Sequence, residues 1–106
     1  MPAFAALAEP TRQRIVEMLA QRERSAGEIA KACKASAPAI SQHLKVLREA
    51  KLVRVRVDAQ RRIYALAPQG VAELDAWVAR IKRFWGPRLD ALEAAHGALP
   101  RGVVAC

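Results

Sequence analysis

Apolar residues recur at helical spacing through the first half of the chain, and then the period changes. Ile15, Met18 and Leu19 stand at i, i+3 and i+4 and make one apolar face of a helix. Glu9-Pro10-Thr11 precedes them, and proline suits a first helical position because its missing N–H is no loss there. Upstream, Phe4 and Leu7 lie one turn apart and predict a short leading helix. Ser25-Ala26-Gly27-Glu28 has the form of a capping box, in which the serine oxygen takes a first-turn N–H and the glutamate reaches back. The short helix it opens turns Ile29 and Ala30 inward and ends near Cys33. After a turn at Cys33-Lys34-Ala35, Ser36 caps a third helix that tolerates Pro38 in its first turn. Ile40, Leu44 and Leu47 fall at i, i+4 and i+7 and face the core, so Ser41, Gln42 and Lys45 point away from it.

From Leu52 the apolar residues alternate, first in Leu52–Val57 and again in Arg62–Leu66, the two-residue period of half-buried strands. Asp58-Ala59-Gln60-Arg61 makes a polar turn between them, so the pair reads as a hairpin held to the domain by Val53, Val55, Val57, Ile63 and Ala65. Its tip lacks the glycine that tight hairpins favour. Pro68 and Gly70 punctuate the exit, and a last helix carries Val71, Leu74, Trp77, Val78, Ile81, Phe84 and Trp85. Gly86-Pro87 is expected to kink or break that helix, since proline cannot donate and crowds the preceding turn. Leu89 and Leu92 resume the period until His96-Gly97, and residues 97–106 read as a loose tail. Two short capped helices joined by a three-residue turn, then a basic hairpin, spell a mainly α fold with a two-stranded β-wing. This winged helix-turn-helix domain fills 1–96, with the helix-turn-helix at 25–50 and the wing at 52–66. Helices at 1–8 and 71–96 are left for dimerisation.

Composition sharpens this picture. The 106 residues suit one domain with a modest core, which burial in a dimer would enlarge. No stretch approaches the roughly 18 apolar residues of a membrane span, and the apolar N-terminus lacks a basic leader, so a cytoplasmic protein is expected. Cys33 and Cys106 are too few and too far apart for a disulfide framework or a thiolate metal cluster. The net charge is +8, and it is concentrated: residues 1–30 balance, while residues 31–62 hold nine Lys or Arg against only Glu49 and Asp58. A solvated surface mixes its signs, whereas a polyanionic partner rewards clustering.

The cluster falls where double-stranded DNA would meet the fold. In a helix-turn-helix the second helix enters the major groove with its N-terminal half on base edges. Here that half presents Ser36, Ala37, Ala39, Ser41 and Gln42, small or hydrogen-bonding residues that permit close approach. Gln42 suits bidentate pairing with adenine, Ser41 a base or a phosphate, and Lys45 and Arg48 the phosphates. Arg54, Arg56, Arg61 and Arg62 bracket the wing tip and suit a phosphate row or the minor groove. His43 fits either a phosphate donor or a spacer between helices; a metal needs convergent ligands, and none accompanies it. Cys33 packs the turn or serves as a redox switch. Trp77, Phe84 and Trp85 concentrate three of the chain's five aromatic residues within 77–85, which fits a dimer seam better than an effector pocket. No catalytic pair, glycine-rich phosphate loop or cofactor motif is present, so neither an enzyme nor a cofactor is expected.

Ala6-Leu7-Ala8-Glu9-Pro10-Thr11-Arg12 with Ile15, Ser41-Gln42-His43-Leu44-Lys45-Val46-Leu47-Arg48-Glu49-Ala50 with Leu52-Val53, and Arg61-Arg62-Ile63-Tyr64-Ala65-Leu66 resemble segments of the ArsR family of winged-helix repressors. The likeness spans residues 4–85. It implies a homodimer, joined through its terminal helices by Phe4, Leu7, Trp77, Ile81, Phe84, Trp85, Leu89 and Leu92, on an imperfect palindrome over a promoter. Three departures stand out. Lys51 occupies the place where glycine usually follows the recognition helix, the wing tip lacks its glycine, and the family's thiolate metal motif is absent. A metal- or redox-gated sensor and a nonspecific DNA-binding protein are the rival readings, and any effector is unidentified.

Overall fold

The computed structural model describes the backbone of residues 1–96 and the side chains through Gly86. In chain order the elements are α1 (Pro2–Ala6), α2 (Pro10–Gln21), β1 (Arg24–Ser25), α3 (Ala26–Cys33), α4 (Ala37–Glu49), β2 (Val53–Asp58), β3 (Arg61–Leu66) and α5 (Pro68–His96). Two compact units divide the chain, Met1–Leu74 and the part from Asp75 onward.

The first unit is built around six side chains that water does not reach: Ile15 of α2, Ile29 of α3, Ile40, Leu44 and Leu47 of α4, and Leu52. The first five are residues the helical spacing points inward, and burying each of the six contributes roughly 1.5–3 kcal/mol. α1 packs on this cluster through Ala3 and Ala6, which leaves Phe4 exposed and Leu7 half-buried against the core. Met18 and Val16 cover the cluster's edge rather than its centre.

The wing differs from the sequence reading in four respects. The sheet has three strands, not two, in the order β1-β3-β2, because Arg24 and Ser25 pair antiparallel with Tyr64 and Ile63. Two residues with no alternation to display cannot announce themselves as a strand; β3 templates them. Asp58 pairs with Arg61, so the hairpin turn is only Ala59-Gln60, and Ala59 takes the positive φ of 59° that a glycine would have supplied. Val57 is 71% exposed and anchors nothing, because it sits at the projecting tip where no helix lies beneath it. Tyr64 is buried in its place, as is Ile63 on the opposite face, because β3 is the central strand.

α5 is a single helix of 29 residues, and Gly86-Pro87 does not end it. Proline removes one i→i−4 bond, and the turns on either side carry the helix past the gap. Its start is fastened to the exit of α4: the N–H of Ala67, just before the helix, donates to the Leu52 carbonyl at 2.9 Å, and the Gly70 N–H to the Lys51 carbonyl at 2.8 Å. Such bonds satisfy N–H groups that a helix start leaves unpaired. The tail at 97–106, with Cys106, lies outside the described residues, as do the side chains of Leu89 and Leu92.

Candidate nucleic-acid interface

The helix-turn-helix is α3, a three-residue link (Lys34, Ala35 and Ser36) and α4. Its first helix opens with the full capping box: Ser25 Oγ accepts from the Glu28 N–H at 3.2 Å, and the Ser25 N–H donates to Glu28 Oε1 at 3.0 Å. It closes on Lys34, held at φ 52° in the left-handed region. The Lys34 and Ala35 amides donate back to the Lys31 and Ala30 carbonyls, the paired bonds of a Schellman motif. Ser36 then caps α4 by accepting from the Ala39 N–H at 3.2 Å. The far end of α4 repeats the device. Lys51 takes φ 60°, its N–H donates to the Arg48 carbonyl at 2.9 Å, and the Leu52 N–H donates to the Leu47 carbonyl at 3.0 Å. Glycine is the usual residue at both positions because it has no Cβ to clash; here lysine accepts the strain.

Between these stops α4 exposes Ala37, Ala39, Ser41, Gln42, Lys45 and Arg48, with the cap Ser36 exposed beside them. At 100° per residue, Arg48, Ser41, Lys45 and Gln42 occupy one side, opposite the Ile40–Leu44–Leu47 stripe. His43 lies apart from them. Its ring is half-buried, with Nδ1 at 3.3 Å from Arg12 Nη1 and 3.6 Å from Glu9 Oε2. A guanidinium can only donate, so the Arg12 contact is a hydrogen bond when the ring is neutral with its proton on Nε2. Arg12 Nε also donates to the Ala6 carbonyl at 2.6 Å, so the arginine joins the end of α1 to α4. Burial pushes the Glu9 carboxyl up, but the Arg12 and Thr11 amides and the nearby His43 together hold it below the usual range.

The strand register divides the wing arginines, which the sequence groups together. Directly paired residues share a face of the sheet, and successive residues along a strand change face. Val57 pairs with Arg62 and Val55 with Tyr64, so Arg62 lies on the Tyr64 face; Arg54, Arg56 and Arg61 lie on the Ile63 face. Ser41, Lys45, Arg48 and Glu49 of α4 line a groove of about 450 Å³ with Arg62 and Tyr64. Three cations thus converge where α4 meets the wing. On the other face Arg56 meets Glu23 twice, Nη2 to Oε1 at 3.1 Å and Nε to Oε2 at 3.5 Å. Arg61 Nη2 reaches Glu28 Oε1 at 3.5 Å, and Arg22 reaches the other oxygen of Glu28 at 3.3 Å. Arg54 and Arg62 have no ion pair among the described residues.

Sequence reasoning missed Tyr64 and Glu49 as groove residues and Glu23 and Glu28 as partners of the wing. Strand alternation could have placed Tyr64 beside Arg62. The two glutamates lie 33 residues from their arginines, a separation that no local pattern spans. Among the described residues no three His, Cys, Asp or Glu side chains are grouped to hold a metal, and Cys33 is half-buried as a free thiol.

Comparison with known proteins agrees with this geometry. Residues 9–55 match the family model of bacterial regulatory proteins of the arsR family. The HTH-type transcriptional regulator Rv2034 of Mycobacterium tuberculosis is 47% identical over 83 residues, which cover 78% of this chain and 75% of that protein. A crystal structure of a possible transcriptional regulator for arsenical resistance superposes with a TM-score of 0.71 at 43% identity, covering 90% of this chain and 96% of that one. The homodimeric winged helix-turn-helix DNA-binding domain of Mb0332 from Mycobacterium bovis, a possible ArsR-family regulator, gives a TM-score of 0.64 at 31% identity, covering 80% and 81%. With its capped recognition helix, its wing and these relatives, the chain belongs to the arsR family of bacterial regulatory proteins and is a winged helix-turn-helix transcriptional regulator.

Proposed function

We propose that the chain is a homodimeric repressor in which each protomer lays α4 in the major groove of one half of a palindromic operator. The observation that carries this reading is the exposed side of α4 together with the groove it shares with Arg62. Ser36, Ala37 and Ala39 allow the helix to approach closely, Ser41 and Gln42 read base edges, and Lys45, Arg48, Arg54 and Arg62 hold phosphates. His43 holds α4 to α2 through Nδ1, and a phosphate contact through its other ring nitrogen is compatible with that placement. Operator occupancy by such a dimer blocks RNA polymerase. The protein works on the nucleoid in the bacterial cytoplasm, with no cofactor.

The second copy is argued from α5. Trp77, Val78, Ile81, Phe84 and Trp85 recur at helical spacing and are exposed, Phe84 to 85%. Aromatic anchors of this kind concentrate at dimer interfaces. The M. bovis relative is homodimeric, and the same association here would cover the stripe. Leu89 and Leu92 continue it by spacing, and Phe4 is a further exposed candidate. Half-sites one helical turn apart, about 34 Å, follow from such a dimer.

Fluorescence anisotropy against the promoter of its own gene and a scrambled duplex, across salt concentrations, tests the reading. A preference above about a hundredfold with a steep salt slope supports operator binding. Equal affinity for both duplexes removes the operator claim, and no binding by a folded dimer removes the DNA claim altogether.

A further inference from the structure

We infer that Glu23 and Glu28 raise the sequence specificity of this domain by keeping Arg56 and Arg61 from indiscriminate contact with phosphates. The inference rests on the DNA-binding reading above and adds residues that reading does not use. All four wing arginines look equivalent in sequence, yet the fold gives them two environments. Arg62 enters the groove beside α4. Arg56 and Arg61 turn to the opposite face of the sheet, each with a carboxylate from the N-terminal part of the chain.

Each carboxylate is itself positioned. Glu23 directly precedes β1, whose pairing with β3 sets it beside Arg56. Glu28 is fixed by the capping box of α3 and is shared between Arg22 and Arg61. The chemistry fits this arrangement. Hydrogen bonding to Arg56 holds the Glu23 carboxyl below the usual range, and the Ser25 amide, with Arg22, does the same for Glu28. Both therefore stay charged at every pH where DNA binding would be measured.

The consequence follows from how the two kinds of complex are held. Binding to random sequence is almost wholly electrostatic and recruits any free cation. A specific complex is fixed by base contacts of α4, so its geometry decides which cations reach phosphate. Exposed ion pairs restrain by a factor of at most about five each. That factor is charged in full against the random complex, whereas the specific one is anchored at α4 and Arg62. The ratio of specific to random affinity rises accordingly.

The test uses the full chain with Glu23→Gln, Glu28→Gln and the double variant, each titrated against a scrambled duplex across salt concentrations. Glutamine preserves the capping box at 28. Glu17→Gln, which removes the same charge from a residue with no ion pair among the described residues, is the control. Random-sequence affinity is expected to rise by up to about fivefold per variant beyond the control. The salt slope is expected to steepen by about one phosphate contact for each freed arginine. Adding Arg56→Ala to Glu23→Gln is expected to restore the wild-type slope. The inference is overturned if the Glu23 variant matches the Glu17 control, if it binds more weakly than wild type, or if its gain survives loss of Arg56. These outcomes leave DNA binding intact; a wild-type protein that binds no duplex would instead sink the reading beneath it.

Discussion

Gly70 and Gly86 sit in one helix, and the same substitution at each is expected to change stability by different amounts. In an exposed helix interior alanine is worth about 1 kcal/mol over glycine. Among the described residues nothing beyond its chain neighbours and its own helix backbone lies within 4 Å of a methyl at Gly86, but a Cβ directly before Pro87 crowds the proline ring in helical backbone, so Gly86→Ala should realise little of that gain. This position also lies about half a turn from the Trp77–Ile81–Phe84 stripe, so a dimer seam along that stripe would not meet the methyl. At Gly70 the methyl would come to 2.5 Å from the Lys51 carbonyl oxygen and 2.8 Å from Leu52 Cδ2. The carbonyl would have to recede by roughly 0.9 Å to reach ordinary contact at 3.4 Å. It cannot do so freely, because it accepts the Gly70 N–H at 2.8 Å and belongs to a residue already held at φ 60°. Overpacking of about 1–3 kcal/mol and a weakened hydrogen bond of about 1 kcal/mol outweigh the helical gain, for a net loss of about 1–3 kcal/mol. Thermal unfolding at fixed protomer concentration reads both variants, at about 4–8 °C per kcal/mol for a domain of this size. If Gly70→Ala is as stable as wild type, the clamp between α5 and the exit of α4 is not a structural constraint.

Lys51→Gly relieves a left-handed lysine and should stabilise the domain by about 1 kcal/mol in urea titration, net of the added freedom of the unfolded chain. An unchanged or lower urea midpoint would mean that the lysine side chain contributes more than its backbone costs. Gln42→Ala should relax base preference by about 1–3 kcal/mol across a set of operator variants while leaving the salt slope alone; full retained discrimination would remove Gln42 from base reading. Glu9, Glu23 and Glu28 are all held below the ordinary carboxyl range in the folded chain. The unfolded state therefore binds protons more readily, and their stabilisation is complete above the unfolded pKa and lost as pH falls through the folded values. Glu28→Gln should lose less stability than wild type between neutral and acid pH, and parallel curves would show that the capping carboxylate contributes nothing pH-dependent.

Where local spacing decides an element, the sequence predicts it well. Ile40, Leu44 and Leu47 define the buried side of α4 by themselves, and Ser25 with Glu28 defines the start of α3, because both are interactions within one or two turns. β1 is invisible, since a two-residue strand exists only through its partner. Val57 obeys the alternation and is still exposed, because alternation says which face a residue takes but not whether anything covers that face. Gly86-Pro87 reads as a break on local grounds, yet the helix continues to His96. Within the candidate site, the exposure of Ser41, Gln42 and Lys45 follows from the spacing of their apolar neighbours. The separation of Arg62 from Arg56 and Arg61 does not, since it depends on register and on glutamates far away in sequence.

His43 shows what that separation implies for reading a basic surface. By type and position it belongs with Ser41 and Gln42, and only geometry reveals that its Nδ1 is taken by Arg12. Arg12 in turn ties the Ala6 carbonyl, so one nitrogen of a side chain that looks wholly available helps to orient α4. The fixing of α4 is then complete on three sides. Ser36 and the Lys34 turn set its start, Lys51 and Gly70 set its end, and His43 sets its rotation against α2. A recognition helix confined in this way loses little freedom on meeting DNA, so more of the energy of each base contact appears as affinity. Variants at Gly70 or Arg12 should for the same reason weaken operator binding without touching DNA. Their mark would be a fall in specific affinity with an unchanged salt slope, whereas loss of a phosphate contact such as Arg62 flattens the slope.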